Sequence, residues 1–187
     1  MVYVDDDIMG FDLEAALLEI SDERREQALR FKHELGRRQC VLAYLLLKRA
    51  LREEYGITGN PVFAYGEHGK PMLVNHPDIH FNLSHCREAV ACVVSDRPVG
   101  IDVEGVGSYR ESLVRYAMNE REQHAILAAE NPALAFTRLW TMKEAHLKLT
   151  GEGLGHALPT VLDETAYNYE TVVAPDGRYV WTVAYAF

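Results

Sequence analysis

The stretch EAVACVVSDRPVGIDVEG, residues 88–105, holds two strand patterns around one turn. Residues 89–94 form an unbroken apolar run, and SDRP at 95–98 is a turn signal. Val99, Ile101 and Val103 then alternate with Gly100, Asp102 and Glu104, the period-2 pattern of a strand with one apolar face. Residues two apart on a strand point the same way, so Asp102 and Glu104 lie side by side. Like charges in that position repel unless a cation lies against them.

Two readings fit this pair: a solvated outer face, or a site for a hard cation. Mg²⁺ takes one or two protein carboxylates and completes its shell with water and phosphate oxygens. The second reading requires a third acidic group and a means of holding phosphate elsewhere in the chain.

At 187 residues and 48% hydrophobic content, the chain has the size of one globular domain or two small lobes sharing a core. Its longest apolar runs, VLAYLLL and AVACVV, are too short to span a bilayer. The acidic start MVYVDDDIMG lacks the positive segment of a secretory signal. Cys40, Cys86 and Cys92 have neither an even count nor C-x-x-C spacing, and they read as reduced thiols of a cytoplasmic protein. A net charge of −9 disfavours broad nucleic-acid binding. Nine of the 19 basic residues nevertheless fall between Arg24 and Arg52, enough for a local anion pocket as well as a solvated helix surface.

Along the chain, Ser21 is placed to cap a helix through DERREQALRFK, and a second helix is predicted over 35–55, ending at Gly56. Val41, Leu42, Leu45, Leu46 and Ala50 form its core stripe. VFAY is a short strand before the loop GEHGKP at 66–71. IHFNLS, EAVACVVS and VGIDVE follow closely enough to predict an antiparallel meander. The second half repeats the order of helices and then strands. Asn119 and Glu122 form a capping-box pattern, Asn131-Pro132 opens a helix to Thr150, and YNYETVVA-PDG-RYVWTVAYAF reads as a hairpin. The expected fold is α+β, two pseudo-repeated lobes of helices on small antiparallel sheets, 1–104 and 105–187.

The third carboxylate lies in LWTMKEAHLKL, where Glu144 and Lys148 are four apart on one helix face. An ordinary surface ion pair is the simplest account of those two alone. The ordered set is more specific: G-K-P at 69–71, F-N-L-S-H at 81–85, G-I-D-V-E at 100–104 and W-T-M-K-E-A-H-L-K at 140–148. Together these segments resemble the signatures of the 4'-phosphopantetheinyl transferases of the single-chain, two-lobed, surfactin-synthetase type. ISDERREQALRF also resembles the N-terminal basic helix of that family, and the likeness spans about 21–154.

The resemblance implies Mg²⁺-dependent transfer of phosphopantetheine from coenzyme A to a serine of an apo acyl or peptidyl carrier protein, releasing 3',5'-ADP. It implies Asp102, Glu104 and Glu144 as metal ligands beside the pyrophosphate. Glu144 is then the candidate base and Lys148 the cation for the leaving phosphate, with Lys143 a further pyrophosphate contact or a solvated neighbour. Arg24, Arg38, Lys70, Ser84 and His85 would hold the nucleotide and its phosphates. Such a chain can complete its site as a monomer, with no nucleic acid or membrane as partner.

The sequence departs from the family at Gln27, Cys40 and Cys86, and the family's linker glutamate matches Glu122, which the capping box also explains. A Mg²⁺-dependent nuclease or phosphoesterase would want the same carboxylates, and an inactive carrier-binding homologue would keep the same outline. The acidic net charge with the G-K-P and S-H segments stands against the first. Asp102, Glu104, Glu144 and Lys148 all being present stands against the second.

Overall fold

The computed structural model describes residues 1–66, 69–151, 158–163 and 166–186. The centre of the GEHGKP loop lies outside the described residues. The elements run β1 (Val2–Asp5), α1 (Leu13–Glu19), α2 (Asp22–Leu29), α3 (Glu34–Tyr55), β2 (Phe63–Tyr65), β3 (Pro71–Leu73), β4 (His80–His85), β5 (Val90–Ser95) and β6 (Val99–Gly105). The second half continues with α4 (Glu111–Ala117), α5 (Glu120–Ala128), α6 (Pro132–Thr150), a 3₁₀ turn (Leu158–Asp163), β7 (Tyr167–Val173) and β8 (Tyr179–Ala186).

Local chemistry sets the helix ends. The Ser21 side chain accepts from the Arg24 N–H at the start of α2, and Asn119 and Glu122 complete a capping box on α5. Asn131 caps α6 with Pro132 at its first position. Helices α3 and α6 stop at Gly56 and Gly151, both left-handed, with φ of 69° and 77°.

Two three-stranded sheets, β1-β5-β4 and β6-β8-β7, form the frame, and β2 pairs with β3 apart from them. All the pairings are antiparallel. On β5, Val90, Cys92 and Val94 pack under Leu42, Leu46 and Leu47 of α3. Ala91 and Val93 face the other way, onto Val99, Ile101 and Val103 of β6 and Val183 of β8. The opposite face of the second sheet meets Ala145 and Leu149 of α6 through Ala184. The layers are therefore helix, sheet, sheet, helix, with α3 on the first sheet and α6 on the second.

The predicted three-strand meander is corrected. β4 and β5 pair as expected, but β6 pairs with β8, from Val99 opposite Tyr185 to Gly105 opposite Tyr179. The reason is that β1, which the sequence reading did not recognise as a strand, takes the other edge of β5. With β4 on one side and β1 on the other, β5 offers no free edge to β6. The strand carrying Asp102 and Glu104, read above as the end of the first lobe, is thus hydrogen-bonded into the C-terminal sheet.

Side chains of β4 in the first sheet bond to the backbone of β6 in the second. Asn82 Oδ1 accepts from the Ile101 N–H at 2.9 Å, and Ser84 Oγ accepts from the Val103 N–H at 3.3 Å. These bonds satisfy donors on β6 that would otherwise be buried without partners. Among the described residues, no helix is long and apolar enough to cross a membrane.

Candidate active site

Gly100 brings α6 onto β6. A Cβ at this position would overlap the Ala145 carbonyl oxygen and the Leu149 backbone, so only glycine permits so close an approach. Asp102 shares the face of Gly100 on the strand. Glu144 and Lys148 occupy successive turns of the helix that packs there. The acidic pair and the basic helix segment meet because a strand face and a helix face touch at a residue without a side chain.

At the centre, Lys148 Nζ lies 2.6 Å from Asp102 Oδ1 and 2.8 Å from Ser84 Oγ, and Ser84 Oγ donates to the same Asp102 oxygen at 2.9 Å. Asp102 is 3% exposed. Its second oxygen, Oδ2, is buried with no hydrogen-bond partner. Glu104 is half-buried and accepts from the Trp140 indole N–H at 3.4 Å. Among the described residues, no hydrogen bond or ion pair holds the half-buried Glu144 carboxylate.

The electrostatics follow from crowding three carboxylates around one ammonium. Burial first, then the Asp102 charge, pushes Glu104 up to about 7, with Glu144 adding to the rise. Burial and then Asp102 likewise raise Glu144 above the ordinary carboxylate range, while Lys148 opposes the shift. His85 stands at the exposed rim. The protein mass around its ring, and then the Lys148 charge, hold it below the usual imidazole value.

This donor set fits a hard divalent cation in kind. It offers only carboxylate oxygens, they are short of positive charge, and one buried oxygen lacks any donor. Among the described residues, no three His, Cys, Asp or Glu side chains converge closely enough to ligate one ion. Lys148 is the group bound at Asp102.

Five of the expected coenzyme A contacts have partners within the protein. Lys143 is fully buried, 2.9 Å from Glu122 Oε2 and 2.8 Å from the Leu158 carbonyl oxygen. It is not a solvated neighbour: it points into the junction of α5, α6 and the 3₁₀ turn. Lys70 Nζ donates to the carbonyls of Lys148 and Leu149 at 2.7 and 2.9 Å, satisfying the last turn of α6 rather than standing free for a phosphate. Arg38 donates to Glu34 and to the carbonyls of Met9 and Phe11, fastening the N-terminal segment to α3. Ser84 belongs to the carboxylate cluster. Arg24 lies over the rings of Tyr44 and Phe63, at 5.2 and 5.3 Å, with a weak contact to Cys40 Sγ.

Sequence reading passed over Trp140 and Asn82, although both stand inside quoted segments. An indole N–H only donates and seeks an acceptor when buried, so Trp140 beside a strand of carboxylates was a usable signal. Trp140 also ends a stack with Phe136 and Tyr109, with ring centroids 6.0 and 5.1 Å apart. That stack walls a groove of about 630 Å³ opening at Glu104. The Asn82 bond to β6 crosses between sheets, and no local pattern reveals it.

The chain is similar to known proteins. A family model described as the 4'-phosphopantetheinyl transferase superfamily matches residues 98–172, from the start of β6 into β7. A 4'-phosphopantetheinyl transferase of Bacillus subtilis is 30% identical over 82% of this chain and 70% of its own length. The transferase psf-1 of Bacillus pumilus is 34% identical over 74% of this chain and 61% of its own. A holo-[acyl-carrier-protein] synthase structure from Thermotoga maritima aligns with 48% of this chain and 62% of its own, at 20% identity and a TM-score of 0.37. The chain belongs to the 4'-phosphopantetheinyl transferases, a family of group-transfer enzymes.

Proposed function

We propose that this enzyme transfers the 4'-phosphopantetheine of coenzyme A to a serine hydroxyl of an acyl or peptidyl carrier protein. The observation that carries the reading is the meeting of Asp102, Glu104, Glu144 and Lys148 where α6 packs on β6. In the reaction the serine oxygen forms a bond to the pantetheine-bearing phosphorus of the pyrophosphate. The bond from that phosphorus to the bridging oxygen breaks, and 3',5'-ADP leaves. The serine proton passes to a base.

Glu144 suits the base. Its carboxylate has no hydrogen bond among the described residues, and burial raises its proton affinity towards the working range of a general base. Lys148 can follow the charge that develops on the leaving phosphate, an interaction strongest in the transition state. Asp102, Glu104 and Glu144 would hold Mg²⁺. When bound, the ion supplies charge neutralisation at the phosphoryl oxygens. His85 at the rim and Arg24 on α2 are the candidates for the adenosine phosphates, and the groove at Glu104 gives the carrier serine an approach.

The test is intact mass of apo carrier proteins incubated with the enzyme, coenzyme A and Mg²⁺, using fatty-acid, polyketide and peptide carriers in one panel. Gain of one phosphopantetheine on any carrier supports the reading. No gain on any carrier, with metal-dependent cleavage of a phosphoester instead, would overturn it.

A further inference from the structure

The Lys148 ammonium sits where a cation belongs. The Asp102 side chain is 4% exposed, so its ionised form needs a counter-charge at close range, and Lys148 supplies one at 2.6 Å. The ammonium has a second anchor in Ser84 Oγ, contributed by the other lobe. Yet one ammonium does not complete the site. Asp102 Oδ2 remains buried without a donor, an uncommon state for a buried acceptor. With Lys148 bound at Asp102, the carboxylates do not converge on a single point.

We propose that Lys148 is a stand-in cation that closes the Asp102 site in the ligand-free enzyme, so that a divalent ion enters only when the coenzyme A phosphates draw Lys148 away. The inference rests on the coenzyme A reading above. An ammonium on Asp102 Oδ1 repels a dication brought to the same carboxylate, and more strongly in a partly buried site than in water. A phosphate offers Lys148 a charged acceptor in exchange for the one it leaves.

The lysine is built for this exchange. Its side chain is 30% exposed and can swing through solvent. Its backbone is held, because Lys70 bonds the carbonyls of Lys148 and Leu149. Movement is thereby confined to the side chain, and Glu144, one turn back on α6, keeps its place. Coupling of this kind is reciprocal, so the cation must also tighten coenzyme A by the same factor.

The experiment measures Mn²⁺ binding by electron paramagnetic resonance, counting free ion, on the whole chain with and without coenzyme A. The parent should bind Mn²⁺ at least about tenfold more tightly with coenzyme A present. Lys148→Met should bind Mn²⁺ about tenfold more tightly than the parent when no coenzyme A is present, and Asp102→Ala should lose the site in both conditions. Lys148→Gln, which keeps a donor and loses the charge, should follow Lys148→Met. Should neither variant fold, Ser84→Ala decides: by removing the second anchor of the ammonium it should also tighten Mn²⁺ binding without coenzyme A, and unchanged affinity would overturn the closure. Equal Mn²⁺ affinity of the parent with and without coenzyme A, while carrier modification proceeds, would overturn the closure and leave the proposed function standing. Absence of Mn²⁺ binding even with coenzyme A, together with no carrier modification, would overturn both.

Discussion

Gly100 and Ala145 lie in backbone contact, with the helix carbonyl of one directly over the Cα of the other. The contact fixes how deep α6 sits on β6, and hence the spacing between Glu144 and the Asp102 face. Gly100→Ala should push the helix outward. Overpacking of this kind costs about 1–3 kcal/mol, which for a chain of this size is roughly 2–4 °C in melting temperature per kcal/mol. Carrier modification should fall by more than the lost folded fraction explains, because the two halves of the site separate. Thermal unfolding followed by dye or circular dichroism, beside initial rates, measures both. A variant of unchanged rate would mean that the packing depth does not set the chemistry.

Lys143 and Glu122 form a buried ion pair whose removal from one side leaves the other charge stranded. Glu122 also closes the capping box of α5 through the Asn119 N–H at 2.9 Å. Glu122→Leu and Lys143→Met should each destabilise the fold by about 3–5 kcal/mol, and the double variant should cost less than the sum. A double-mutant cycle by denaturant unfolding reads the coupling. Strict additivity would show that the pair is not the unit holding α5 to α6.

Lys70 gives a sharper separation of roles. As a cap on α6 it should contribute about 1–2 kcal/mol through its two carbonyl bonds, discounted for its partial exposure. Lys70→Met should therefore lower stability, while the preference for coenzyme A over dephospho-coenzyme A stays close to that of the parent. Titration calorimetry with the two ligands decides it. Loss of that preference would return Lys70 to the 3'-phosphate.

The helix caps were legible in the sequence because a cap is chemistry within a few residues. Ser21, Asn119, Asn131, Gly56 and Gly151 stand at or beside the ends that they predict. Asp102 with Glu104, and Glu144 with Lys148, were legible because strand and helix periods place each pair on one face. VYVD was not, since four residues carry too little alternation and gain their stability from pairing with β5. The change of sheet at β6 followed from that same omission. The burial of Lys143 was not legible, because sequence gives a helix its period but not what covers each face. Here α5 and the 3₁₀ turn cover the face next to the one carrying Glu144 and Lys148.

The pH dependence of the ligand-free fold has a definite sign. Glu104 is pushed from 4.5 up to about 7, so between those values the folded chain holds more of the Glu104 proton than the unfolded chain does. Stability must then fall as pH rises through that window, the ionised carboxylate being the form that the site disfavours. In chelator, without coenzyme A, the chain should be more stable near the lower end of the window than above 7 so far as Glu104 contributes. Glu104→Gln should flatten that contribution. Urea midpoints of the parent and the variant across the window test it. Parallel profiles would place the titration elsewhere.

Metal binding and base catalysis separate at Glu144. Glu144→Gln preserves the helix, the side-chain size and one oxygen, and removes the proton acceptor. Coenzyme A should bind within a small factor of the parent, because the proposed function places its grip in the basic groups and in the Asp102–Glu104 pair. The turnover rate should fall by about 10²-fold or more, the scale of a lost general base. Asp102→Ala should behave differently, losing coenzyme A binding in Mg²⁺ together with transfer, since its carboxylate lies at the centre of the cluster. Calorimetry for binding, and intact mass of the carrier over time for rate, distinguish the two patterns. A Glu144→Gln enzyme working near the parent rate would leave Glu144 as a metal ligand at most, and a water or another group would take the serine proton.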